Sequence, residues 1–138
     1  MRVSALYIRQ PYASMVISGE KRIETRGYEV PRHCVDRPIA VLIPGVKGPA
    51  QVVGWARITG SKMYMSHKEW VSDYSMHRIP DGDKLYGYDM HQVKYAWYIQ
   101  PERMLWPRGG KWVVEKGGRV WTHVRDEDED EDEGIWLN

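Results

Sequence analysis

Residues 5 to 26, ALYIRQPYASMVISGEKRIETR, decide the reading of the fold. Val3 to Arg9 (VSALYIR) is rich in β-formers and is predicted to be the first strand, ended by Gln10-Pro11. Pro11 fits the first position of a helix, where a missing N–H costs nothing. Tyr12, Met15 and Val16 then recur at helical spacing, and Gly19 fits just past the end. The result is a predicted helix of about two turns. Lys21 to Arg26 (KRIETR) follows as an extended segment whose charges suit a cleft wall. Strict alternation puts Lys21, Ile23 and Thr25 on one face and Arg22, Glu24 and Arg26 on the other. Lys21 and Glu24 therefore converge only if a turn or bulge reorients one of them.

Outward from this segment, residues 27 to 38 carry Gly27, Pro31 and Pro38 and read as a loop, and Ile39 to Ile43 (IAVLI) reads as a buried strand. Gln51 to Thr59 (QVVGWARIT) is predicted to be another, with Gly54 marking a bulge or a close backbone approach. Ser66 and Glu69 form a capping box for a short helix through about Tyr74, and Met76 to Met90 is an irregular excursion. Lys94 to Gln100 (KYAWYIQ) is a strong strand candidate. Arg103 to Trp106, a Gly109-Gly110 turn and a last strand near Arg119 to Val124 complete the chain. Five or six strands with two or three short helices predict an α+β fold built as a small β-barrel.

The 138 residues suffice for one domain. Apolar residues at 42% and charged residues at 28% give it a core and exclude a wholly disordered chain. The rings are seven Trp and nine Tyr with no Phe, so each large ring carries a polar handle suited to a half-wet cleft or to base stacking. The net charge of +1 hides a division. Residues 126 to 133 alternate Asp and Glu, whereas residues 1 to 125 hold twenty bases against eleven acids, a balance of +9. We therefore divide the chain into a basic domain, residues 1 to 125, and an acidic tail, residues 126 to 138. Eight adjacent like charges repel, which predicts a tail disordered in isolation and able to cover a basic cleft as a phosphate mimic; a plain solubilising role is the alternative.

The single Cys34 excludes an internal disulfide and a zinc site made of cysteines alone. With no apolar run of eighteen residues and no signal-peptide pattern, the sequence predicts a soluble cytoplasmic protein without a membrane partner. His33, His67, His77, His91 and His123 show no ligand spacing, so we expect no metal and no cofactor. Asp81-Gly82-Asp83 and Pro107 to Lys111 read as turns, the second able to touch phosphate. Trp55, Trp97, Trp112 and Trp121 are predicted mostly for the core, with Trp70 and Trp106 the better stacking candidates.

The opening segment resembles that of ASCH domains, which run strand, Gln/Pro-Pro-aromatic-Ala, helix and then Gly-x-Lys-x-x-Glu-x-Arg. That signature is here Gly19, Lys21, Glu24 and Arg26. The resemblance extends through Val52 to Ala56 and Tyr95 to Ile99, with Pro107 and Trp121 downstream, and covers roughly residues 3 to 125. Coactivator-type and EOLA-like ASCH domains are similar here. The resemblance implies a PUA-like barrel, and with it an association with RNA and modified bases. Some ASCH proteins are N4-acetylcytidine amidohydrolases that use a Lys, a Thr three residues later and a distant Glu. Lys21 matches the Lys, but Glu24 stands where the Thr would be and Thr25 is one residue away.

These readings make the chain a nucleic-acid-binding module, for RNA first, expected to act as a monomer on a nucleotide or modified base. The expected cleft walls are Arg9, Gln10, Lys21, Glu24, Thr25 and Arg26, with Lys21 and Arg26 on phosphate or a base acceptor, Glu24 orienting Lys21 or accepting from an exocyclic amine, and Tyr12 or Trp55 stacking. The alternative is a small hydrolase, amidohydrolase or ribonuclease, using Lys21, Glu24 and Thr25, with Glu24, Glu69 and Asp73 as candidate bases. A third reading is a protein-interaction adaptor with a vestigial pocket.

Overall fold

The first strand, β1 (Arg2–Tyr7), pairs in parallel with β3 (Pro38–Ile43), setting Ala5 opposite Ala40, and antiparallel with β7 (Trp121–Asp126) on its other side. In this computed structural model, which describes residues 1–127, the sheet continues from β3 to β4 (Gln51–Met63), β5 (Tyr95–Glu102) and β2 (Ile23–Arg26). Beyond β7 it ends at β6 (Trp112–Val114), giving the order β2-β5-β4-β3-β1-β7-β6. The helices are α1 (Tyr12–Ser18), α2 (His67–Ser72) and α3 (Tyr74–His77). The fold is thus α+β as predicted, with two corrections. Among the described residues the strands number seven rather than five or six, and the mixed sheet is not closed between its edges β2 and β6.

The strand that bends the sheet is β4. Its register slips where Val53 is the extra residue before Gly54, and again at Thr59, and such bulges add twist and curvature. Gly54 also meets its second predicted role, because a Cβ there would stand 2.4 Å from Ile17 Cδ1 of α1. The bare backbone lets α1 lie on the sheet. Both sheet faces are covered, which accounts for the continuous apolar run in β3. Ile39 and Val41 join Leu6, Val16 and Trp97 on one face, while Ala40 and Leu42 join Val3, Trp55 and Val124 on the other.

Helix α1 ends as its sequence requires, with Gly19 at φ 83° donating to the Val16 carbonyl at 3.1 Å. The Gln10–Pro11 peptide bond at its start is cis. Ser66 caps α2 by accepting from the Glu69 N–H at 3.1 Å. Asp126, the first residue of the predicted tail, closes β7, is buried, and accepts from the backbone N–H groups of Arg108 and Gly109. Residues 128 to 138 of that tail lie outside the described residues. No helix among the described residues is long and apolar enough to cross a membrane.

Candidate functional site

At the end of the sheet where β1 and β3 finish, a cleft of about 450 Å³ opens between β2, the start of α1 and the excursion that follows α3. Arg9 reaches it from beyond β1 and Arg119 from before the antiparallel β7. The positions just past β1 and just before β7 necessarily share one end of the sheet. Lys94, immediately before β5, and Arg26 of β2 bring the cations to four, against Glu24 as the acidic residue of the lining. Two rings face the same space, Tyr12 and Tyr86, meeting edge to face with centroids 5.7 Å apart.

Beneath the cleft, Glu24 lies between two cations. Arg26 Nη2 donates to Glu24 Oε2 at 3.2 Å and to the Tyr7 carbonyl at 2.9 Å, and its guanidinium carbon stands 5.8 Å from the Trp97 ring centroid. On the other side Lys21 Nζ is 4.0 Å from Glu24 Oε1, 4.9 Å from the Tyr12 ring centroid, and donates to the His77 carbonyl. The convergence of Lys21 and Glu24 has the cause the alternation argument required. The Lys21 N–H bonds the Met15 carbonyl and the Arg22 N–H the Met76 carbonyl, so the chain is still turning there and the strand pattern starts only at Ile23. The Thr25 N–H donates to Glu24 Oε1 at 3.1 Å, fixing the carboxylate further.

Burial sets the protonation chemistry. Lys21 has no exposed surface, and desolvation lowers its pKa to about 8, with Glu24 opposing the shift and Arg26 and Lys94 adding to it. Burial likewise lowers Lys94, against the pull of Glu24, Asp83 and Asp89, while its Nζ donates to the Tyr86 carbonyl at 2.8 Å. His77 is also lowered by burial. Its Nδ1 accepts from the Ile79 N–H at 2.9 Å, which leaves Nε2 as the donor to the Trp70 carbonyl at 2.8 Å and describes a neutral imidazole of one tautomer. The phenol of Tyr12 is raised, by burial first and then by the field of Asp83.

Of the residues expected on the cleft walls, Arg9, Tyr12, Glu24, Thr25 and Arg26 are brought together. Three others stand elsewhere. Gln10 turns back on α1, where its Oε1 accepts from the Ser14 N–H at 3.0 Å and the Ser14 hydroxyl at 2.9 Å. Trp55 is buried in the second core cluster against Trp112, so it cannot stack on a ligand in the cleft. Lys21 has no exposed surface and meets Glu24 and the Tyr12 ring instead of lining the cleft. Trp70 is fully buried as well, whereas Trp106 is exposed.

Two of the candidate bases for Thr25 are engaged elsewhere, Glu69 with Lys62 at 2.9 Å and Asp73 with the Tyr64 hydroxyl at 2.8 Å. Glu24 alone of the three lines the cleft with Thr25. Sequence reasoning missed Lys94, Arg119 and Tyr86. No sequence signal marks Arg119, whose place beside Arg9 follows from the antiparallel pairing of β7 with β1. Among the described residues no cluster of His, Cys, Asp and Glu could hold a metal ion.

No family model matches the chain, and no curated protein matches its sequence. Among solved structures it is similar to the ASCH protein of Zymomonas mobilis, with a TM-score of 0.62 at 12% identity over 96% of this chain and 94% of that one. A tyrosine-to-phenylalanine variant of that protein aligns at 15% identity and a TM-score of 0.62, covering 96% of both chains. A serine-to-alanine variant aligns at 12% identity and a TM-score of 0.61, again over 96% and 94%. This likeness shows the fold alone: the chain has the ASCH fold that residues 5 to 26 predicted.

Proposed function

We propose that this protein binds single-stranded RNA, receiving one base in the cleft and the adjoining phosphates on its rim. The observation that carries this reading is the lining of that 450 Å³ space, in which four cations surround one carboxylate beside two tyrosine rings. The volume suits a nucleotide. Arg9 and Arg119 are exposed and form no salt bridge with a described residue, so their charge is available to phosphate. Tyr12 and Tyr86 offer faces or edges to a base, and Glu24, fixed between Lys21 and Arg26, can accept only from a group that brings a donor, such as an exocyclic amine. The test is fluorescence anisotropy of a labelled oligoribonucleotide across a salt series. With Arg9, Lys94 and Arg119 on phosphate, log affinity should fall against log salt with a slope of about −2, and Arg119→Ala should make it shallower by about 0.7. Absence of binding at low salt would sink the proposal.

A second reading, an amidohydrolase acting on a modified nucleoside, is favoured by one feature: an amine with a pKa of about 8 beside Glu24, whose chain neighbour Thr25 lines the cleft. Such an amine can exchange a proton near neutral pH. Incubation with N4-acetylcytidine, followed by mass spectrometry of the nucleoside, separates the two. The reader is expected to give no cytidine. Turnover by the wild type that Thr25→Ala abolishes would establish the enzyme instead.

A further inference from the structure

We propose that the opposite end of the sheet carries a second nucleic-acid contact, a groove that takes phosphates and a base of the same strand. This rests on the reading of the cleft as an RNA site. The groove, about 580 Å³ in volume, lies where β1 and β3 begin, and its lining includes Arg2, His33, Arg37 and His123 but no carboxylate. Val3, Ile39 and Leu105 give it an apolar floor, and Ser4 adds a hydroxyl.

Arg2 is directed to Glu115 by two hydrogen bonds of 2.8 and 2.9 Å, which also occupies the neighbouring acid. His33, Arg37 and His123 form no salt bridge with a described residue, and His33 and Arg37 are exposed. Arg37 as the cation, with the two imidazoles as hydrogen-bonding groups over an apolar floor, matches a ligand that is anionic on one side and flat and apolar on the other, as a nucleotide is. The loop that supplies Leu105 is tied down, since the Leu105 carbonyl accepts from Trp112 Nε1 at 2.9 Å. The next residue, Trp106, follows the groove-lining Leu105 in the chain and is 79% exposed, so its ring is open for a base to stack on beside the groove.

The two sites are separated by the length of β1, six residues or roughly 17–20 Å, which a strand of a few nucleotides spans. Once one site is filled, the other binds at the high effective concentration that a short tether imposes. Strand length thus becomes a variable the protein reads.

The experiment compares a labelled dinucleotide with an oligoribonucleotide of about twelve residues, long enough for both sites, on the full-length wild type and on Arg37→Glu/Trp106→Ala. Both substitutions fall on exposed side chains, and thermal unfolding confirms that the variant stays folded. The expected result is unchanged dinucleotide binding and a loss of tenfold or more for the longer strand, in the variant only. Equal affinity of both proteins for the longer strand would overturn the groove while leaving the cleft reading intact. Dinucleotide that fails to bind, with longer-strand binding still sensitive to the variant, would overturn the cleft reading and keep the groove; no binding of either length removes both. Inorganic polyphosphate competing as well as RNA of equal charge would show a site for charge alone and overturn the assignment to nucleic acid.

Discussion

Replacing Lys21 by Met is expected to lower the unfolding free energy by about 3 kcal/mol near neutral pH, the lower end of the cost of breaking a buried ion pair. The loss has two sources. The His77 carbonyl gives up a charge-assisted donor, and Glu24 stays buried with Arg26 as its remaining cation, which is why the lower end applies. The pH dependence identifies the amine as the cause. In the fold the Lys21 pKa is lowered to about 8, chiefly by burial, and in the unfolded chain it returns to about 10.4. Between these values the unfolded state holds a proton that the native state has released, so stability from this group rises with pH across that window and is lost as pH falls through 8. Met cannot titrate. The deficit of the variant should therefore widen by about 1.4 kcal/mol for each pH unit between about 8 and 10.4 and level off above, as read by urea denaturation of both proteins. Parallel pH profiles would show that the amine is not held as described.

What could be read from the sequence was whatever is local. Pro11, the spacing of Tyr12, Met15 and Val16, and Gly19 define α1 within nine residues, and Ser66 with Glu69 defines the start of α2 within four. Arg26 and Glu24, two apart on one strand face, also met as alternation requires. What could not be read depended on partners far along the chain. Lys21 is buried because the His77 carbonyl, 56 residues away, receives it. Strand β6 has only three residues and exists through its pairing with β7, without a pattern of its own. Trp55 fits both the core and the cleft in the sequence because an imperfectly alternating strand does not declare its faces, and the extra residue at Val53 shifts the phase just before it; the structure places it in the core. The cleft itself follows from topology: parallel β1 and β3 with antiparallel β7 bring Arg9, Pro44 and Arg119 to one end of the sheet, and no motif encodes that meeting.

The second large effect should come from Trp70, a residue without any surface in the cleft. Trp70→Ala is expected to cost about 3–5 kcal/mol, the range for deleting a large aromatic from a packed interior. It should also weaken the RNA binding proposed for the cleft, because the indole holds the wall of the site from behind. Its ring stacks on His77 with centroids 4.3 Å apart and planes at 14°, and Lys94 Nζ stands 5.9 Å from its centroid. His77 in turn fixes the Ile79 N–H through Nδ1 and Lys21 through its carbonyl, so the cleft residues Ile79 and Lys94 and the support of Glu24 all lean on one ring. Trp70→Phe separates packing from polarity. It keeps a stacking ring and removes an indole N–H that is buried without a hydrogen-bond partner among the described residues, so it should lose much less stability than Ala. Binding measured well below the unfolding transition of each variant then tells support from simple destabilisation. If Trp70→Ala, still folded at the working temperature, bound RNA as tightly as the wild type, the wall would not depend on this ring and Lys94 would be placed by β5 alone.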